Sequence, residues 1–243
     1  MLLLTGGTGR LGRELGKLFP AAVRPTREEL DLGRSDSVEW YVAAVRPSAV
    51  IHTAAYTSVR GAEEDRRLCW DTNVTGTERL VETLLRVNPA CYFVYVSTAC
   101  VFYGDEGPYS EEDMPRPKNF YGLTKLIGEG VARRLVKSLV VRTNFVAREP
   151  WPYPKAFADR YGTYLYADDV ARAVSEVLER GLTGLVHIAG DRRLSMLELA
   201  RLMTPEVASL TMADVSLPLT VDMSLTSVRI ERYRLSPGEH GGR

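Results

Sequence analysis

The sequence predicts an α/β fold, a doubly wound parallel sheet carrying a small, reduced C-terminal lobe. Three observations predict it. Short apolar runs alternate with stretches of helical period, a glycine-rich turn separates the first run from the first helix, and the rhythm breaks near residue 146 at Pro150, Pro152 and Pro154. With 243 residues, 45% of them hydrophobic, the chain can bury one large core: residues 1–145 as the sheet domain, and 146–243 as a smaller region partly interleaved with it.

Taken in order, Leu2–Thr5 reads as a strand closed by glycines, and Arg10–Phe19 as a helix with Leu11, Leu15, Leu18 and Phe19 on one face. Ala21–Arg24 reads as a second strand, Asp36–Val45 as a helix opened by Ser35, and Ala49–Thr53 as a β-branched third strand. A helix follows over Cys69–Val87, ended by Pro89. Tyr92–Val96 has the continuous apolar character of a strand buried on both faces. Tyr121–Leu135 and Ser138–Arg142 repeat the helix–strand alternation. Beyond the prolines, helices are expected over Asp168–Glu179 and Ser195–Met203, with a strand at Gly184–Ile188; no element is assigned from Val207 onward.

Composition narrows the function. The 31 basic and 31 acidic residues cancel, so no net field favours nucleic acid or an anionic membrane, and the expected partner is a small molecule. Cys69, Cys91 and Cys100 show no C-x-x-C spacing and read as free thiols of a reducing compartment, the cytoplasm; neither a disulfide nor a metal site is expected. The apolar start Met1–Leu4 is far too short for a leader or a membrane span. A homodimer is left open.

Gly6, Gly9 and Gly12 form G-x-x-G-x-x-G between a strand and a helix, the setting of a Rossmann-type dinucleotide loop, where bare backbone and a helix N-terminus receive a pyrophosphate. No acidic residue ends the second strand. Arg24 and Arg27 stand there instead and suit a 2′-phosphate, which favours NADP, with NAD as the alternative. Tyr121 and Lys125 form Y-x-x-x-K, which on a helix puts both on one face, where an ammonium can draw a phenol's pKa down toward neutrality. Ser97 and Thr98 end an apolar strand upstream and offer hydroxyls to a substrate oxygen.

Together these residues resemble the extended short-chain dehydrogenase/reductases, and within them the dTDP-4-dehydrorhamnose reductase family. The stretches that carry the likeness are Ala54-Ala55-Tyr56-Thr57, Asn73-Val74-Thr75-Gly76-Thr77, Gly107 to Asp113 followed by Pro115, Pro117, Asn119 and Tyr121-Gly122, and Arg142-Thr143. The resemblance implies that Gly6, Gly9, Arg10, Leu11 and Gly12 hold the pyrophosphate and that Asp31 and Leu32 lie beside the adenine. It places Ala54, Ala55 and Thr57 along the cofactor's ribose and phosphate. Thr98, Tyr121 and Lys125 become the catalytic set, with Asn73 supporting the Lys125 end and both Tyr121 and Lys125 also touching cofactor. The implied activity is NADPH-dependent reduction of a 4-keto-6-deoxy sugar nucleotide. Two alternatives stand beside it, a nucleotide-sugar epimerase, suggested by Ala99 after the threonine, and a non-catalytic dinucleotide-binding regulatory subunit. Phe145 stands where the reductases carry tryptophan, and their Asp-Gln and Pro-Thr segment is read as missing, so the substrate region looks shortened.

Three residues take the plainer of two readings. Cys100 packs beside a strand end, His52 is a satisfied interior histidine, and Asp168-Asp169 cap a helix from Val170 rather than bind metal.

Overall fold

In the computed structural model, which describes residues 1–236, Leu3 and Leu4 of the first strand point to opposite faces and enter two separate cores. The elements run β1 (Leu2–Thr5), α1 (Arg10–Leu18), α2 (Ser35–Val45), β2 (Ala49–His52), α3 (Val59–Glu64), α4 (Arg66–Trp70), α5 (Gly76–Val87) and β3 (Tyr92–Thr98). They continue with α6 (Phe120–Ala132), β4 (Ser138–Thr143), β5 (Phe145–Val146), β6 (Lys155–Phe157), β7 (Tyr161–Gly162), β8 (Leu165–Tyr166) and α7 (Ala167–Glu179). The last are β9 (Gly184–Ile188), β10 (Leu194–Ser195), α8 (Met196–Arg201), β11 (Ala208–Leu210) and β12 (Asp222–Met223).

The main sheet is parallel throughout, in the order β1-β2-β3-β4-β9. Leu11 and Leu15 of α1 and Val170, Val174 and Val177 of α7 cover one face, against Leu4, Ile51, Val94 and Val141. Val38 and Val42 of α2, Leu80 and Leu84 of α5, and Ala132 of α6 cover the other, against Leu3, Val50, Phe93 and Val140. The sheet is therefore doubly wound.

The strand expected at Ala21–Arg24 is reduced to one bridge, Leu3 to Val23, on the outer side of β1. Leu4 N–H donates to the Val23 carbonyl and Val23 N–H to that of Leu2, each at 2.9 Å, but exposed Arg24 and then Pro25 end the ladder. The chain thus goes from β1 outward to Val23 and then back across to β2, so the direction of winding reverses at β1. The crevice beyond the carboxyl end of β1 is where such sheets bind ligands.

The helix expected over Cys69–Val87 begins earlier, as α4, and passes through a π-helical turn at Asp71–Thr75 before continuing as α5. Beyond residue 145 the chain returns α7 and β9 to the main sheet and builds three small strand groups, β5 with β8, β6 with β11, and β7 between β10 and β12. The last helix spans Met196–Arg201, with Ser195 as its N-cap. The helix expected over Asp168–Glu179 spans Ala167–Glu179, so the pair read as a cap before Val170 lies inside it. Asp168 and Asp169 lie in its first turn, where Asp169 accepts from the Tyr166 N–H, and both carboxylates are paired with Arg148 and Arg172.

Candidate active site

The glycine turn folds back on its own helix. Gly6 has φ of +72°, and a Cβ at Gly12 would stand 2.1 Å from the Gly6 carbonyl oxygen. A Cβ at Gly6 would stand 2.6 Å from Ala54 N, so the loop abuts the Ala54–Thr57 segment that leaves β2. Gly9 caps α1 without a side-chain bond, which leaves the first-turn amides of that helix open to an anion. Leu11 is sunk in the core and offers only its backbone there, while Arg10 lines a groove of about 330 Å³ on the flank of α1 with Arg13, Lys17 and Arg148.

Arg24 runs along the same loop, its stem against Gly7 and its guanidinium against Gly16. Arg24 and Arg27 are both exposed, and neither forms an ion pair with a described residue. Asp31 accepts from Gly33 N–H at 2.9 Å, and buried Leu32 gives its carbonyl to Arg79 at 3.1 Å. Bare glycine backbone, open helix amides and two uncommitted guanidinia fit a phosphorylated dinucleotide.

Thr98 ends β3, buried, its Oγ1 accepting the Cys100 N–H at 3.1 Å. Asn119 caps α6 by accepting from Gly122 N–H at 2.8 Å, which puts Tyr121 in the first turn of that helix. A Cβ at Gly122 would meet the Cys100 carbonyl oxygen at 2.1 Å, so glycine lets α6 close onto the turn that follows Thr98. Tyr121 and Lys125 are both buried, and the Lys125 ammonium lies 4.0 Å from the centre of the Tyr95 ring.

Electrostatics depart from expectation here. Burial pushes the Tyr121 phenol up, against a Thr98 hydrogen bond that works the other way, so in the free protein the lysine does not bring the phenol toward neutrality. Burial also lowers Lys125 itself, to about 7, with Glu129 and Cys69 opposing.

Asn73 sits on the π-helical turn and is fully committed. Its Oδ1 accepts from Tyr56 N–H at 2.7 Å, and its Nδ2 donates to the Tyr56 carbonyl and to Thr124 Oγ1, both at 3.0 Å. It therefore ties the Ala54–Thr57 segment to α6 at the residue before Lys125. His52 is an interior histidine, between Thr5 Oγ1 at 2.6 Å and Thr77 Oγ1 at 3.1 Å, and burial holds it down to about 3. Cys100 is buried with its Sγ 3.6 Å from Met223 Sδ.

Ser97, expected beside Thr98 as a hydroxyl for substrate, instead donates to Glu129 Oε1 at 2.6 Å. Glu129 also receives Arg142 Nε at 2.9 Å and Nη2 at 2.8 Å, all out of water. The sequence reading missed this trio, although Glu129 continues the four-residue spacing of Tyr121 and Lys125.

Taken together, the fold and site define a nucleotide-binding protein of the extended short-chain dehydrogenase/reductase type. The family model described as the RmlD substrate binding domain matches residues 1–155, and the chain belongs to that family. It is 31% identical over 229 residues to the dTDP-4-dehydrorhamnose reductase of Aggregatibacter actinomycetemcomitans, covering 82% of this chain and 76% of that one. The crystal structure of dTDP-4-dehydrorhamnose reductase from Bacillus anthracis in complex with NADP superposes with a TM-score of 0.84 at 25% identity, covering 93% of this chain and 89% of that one. Methionine adenosyltransferase 2 subunit beta of Rattus norvegicus is 32% identical over 139 residues, 53% of this chain and 41% of that protein. Among the described residues, no helix is long and apolar enough to cross a membrane.

Proposed function

We propose that this chain reduces the keto group of a 4-keto-6-deoxy sugar nucleotide with NADPH. The observation that carries the reading is the convergence of buried Thr98, Tyr121 and Lys125 at the carboxyl edge of the sheet, in a chain whose glycine loop abuts Ala54. Bound NADPH supplies the hydride. The open amides of α1 hold the pyrophosphate across Gly6, Gly9 and Gly12, and Arg24 with Arg27 takes the 2′-phosphate. Asp31 and Leu32 flank the adenine, while Ala54, Ala55 and Thr57 line the ribose and phosphate side. The small strand groups that residues 146–236 build outside α7 and β9 form the substrate side.

Thr98 Oγ1 accepts from Cys100 N–H, which leaves its own proton for the carbonyl oxygen. Tyr121, kept protonated by burial, delivers the proton to that oxygen. The phenolate left behind is stabilised by the Lys125 ammonium, which also binds the nicotinamide ribose, and Asn73 fixes the helix turn beneath it through Thr124. Three buried free cysteines suit a reducing compartment, the cytoplasm.

The match to the methionine adenosyltransferase subunit favours one other reading, a dinucleotide-binding subunit without chemistry. Incubating the chain with NADPH and dTDP-4-dehydrorhamnose separates the two. Turnover is expected, and Tyr121→Phe should lower it by about 10² to 10⁴ with NADPH affinity nearly unchanged, whereas Lys125→Met should lose both. Saturable NADPH binding with no turnover, or a Tyr121→Phe protein within threefold of wild type, would reject the reductase reading.

A further inference from the structure

Tyr121, Lys125 and Glu129 follow one another at four-residue intervals on α6, so one helix face presents a phenol, an ammonium and a carboxylate a turn apart. Glu129 is 1% exposed, and its three donors come from Ser97, the residue before Thr98, and from Arg142 in β4. One carboxylate thus joins the strand that ends in Thr98, the helix that carries Tyr121, and the strand beyond. An ion pair this deeply buried is a poor stabiliser, because desolvation consumes most of its attraction, and neutral side chains of similar volume hold such positions as well or better. The charge has a use beyond packing.

Resting on the reductase reading, we propose that Glu129 is a positioning residue that acts through Lys125. Anchored by Ser97 and Arg142, its carboxylate holds Lys125 in the charged form beside Tyr121 while fixing the end of β3 against α6.

The surroundings of Lys125 leave this role to Glu129. Lys125 is faced by the Tyr95 ring from β3, Cys69 from α4, His52 from β2, and Tyr121 and Glu129 from its own helix, with Arg142 of β4 behind Glu129. Burial raises Cys69 and keeps it a thiol, His52 is neutral, and Tyr95 is raised as well, so Glu129 supplies the fixed negative charge. Burial lowers Lys125 to about 7, and Glu129 works against that fall. Without the carboxylate the ammonium would titrate at still lower pH. Reduction needs that ammonium when Tyr121 gives up its proton, so turnover should be lost as pH rises through the Lys125 titration, and at lower pH once the Glu129 carboxylate is replaced by an amide.

The test is a carbon-13 NMR titration of lysine Cε signals in the full chain, with Lys125 assigned by its loss in Lys125→Met, run beside the pH profile of NADPH-dependent turnover. The Glu129→Gln/Arg142→Met double variant removes both charges and keeps an acceptor for Ser97. Its Lys125 titration should move down by about one pH unit, less the share that Arg142 had cancelled, and the basic limb of turnover should move with it. Ser97→Ala, which strips one donor from the carboxylate, should move Lys125 the opposite way, and it decides the matter alone if circular dichroism shows the double variant unfolded. A Lys125 titration unmoved in the folded variant overturns the proposal. A wild type that turns over no 4-keto sugar nucleotide overturns the reductase reading, while the titration still judges Glu129.

Discussion

Alanine at Gly122 tests whether the contact between α6 and the Cys100 carbonyl sets the spacing of Tyr121 and Thr98. The new Cβ would lie 2.1 Å from the Cys100 oxygen, 2.9 Å from its carbonyl carbon and 3.2 Å from Pro117 Cβ. Ordinary contact begins at 3.4 Å, so 3.4 − 2.1 = 1.3 Å of separation must be found. Neither partner yields easily, because the oxygen belongs to the backbone of the turn at Ala99–Val101 and the Cβ to the first turn of a buried helix. A displacement of about 1 Å between groups that must act on one oxygen costs on the order of 10²-fold in turnover. Overpacking of this kind also removes about 1–3 kcal/mol of stability. Gly130 provides the control, on the same helix with nothing within 4 Å of a Cβ. Alanine there should be neutral or stabilising by about 0.5–1 kcal/mol. Turnover followed by NADPH absorbance, NADPH affinity by nucleotide fluorescence, and thermal melts of both variants are the measurements. Gly122→Ala should lose turnover and melting temperature, with a smaller loss of NADPH affinity, because the glycine loop lies at another element and only Lys125 moves with the helix. A Gly122→Ala protein within threefold of wild-type turnover and melting like Gly130→Ala would refute the reasoning.

Replacing Arg24 and Arg27 together with alanine should weaken NADPH by about tenfold or more, roughly 1.4 kcal/mol, and leave NADH little changed; parallel losses in a binding titration would make both arginines ordinary surface charge. His52 gives a pH prediction. Burial lowers its pKa from 6.5 to about 3, so its contribution is fully present above pH 6.5 and is lost as pH falls toward 3, where the unfolded chain alone takes up the proton. Denaturant melts of wild type against His52→Asn should show the wild type losing its advantage across that window at up to about 1.4 kcal/mol per pH unit, and a constant difference would contradict a neutral buried ring.

The main sheet was legible because its interior strands are apolar on both faces, which no surface segment imitates: β4 is buried at every residue from Ser138 to Thr143. Ala21–Arg24 has a strand's composition, yet it lies at the sheet's edge, where Arg24 faces solvent and Pro25 cannot donate, so one bridge is all that forms. The π-helical turn at Asp71–Thr75 is invisible to a search for helical period, since one wide turn leaves the pattern on either side intact. Yet this turn carries the Asn73 amide that bonds Tyr56 and Thr124. Strands of two or three residues, such as β7 and β12, are shorter than any periodicity can register. The helix expected over Asp168–Glu179 starts one residue earlier, at Ala167, and the two carboxylates read as a cap occupy its first turn and serve Arg148 and Arg172.

Within the site, Thr98, Tyr121 and Lys125 were legible from residue type and spacing along the chain. The Ser97–Glu129–Arg142 trio was not, because its bonds span 32 and 13 residues and join elements that only the fold brings together. The sequence did hold a clue of another kind. Arg142 falls inside a strand that the parallel sheet must bury, and a guanidinium does not stay buried without a carboxylate to meet it. The helix that leads into β4 and packs over it is α6, and α6 contains a single acid, Glu129. Topology and the cost of burying a charge therefore name the partner before any distance is measured. On α6 that partner stands two turns from Tyr121, with Lys125 between them.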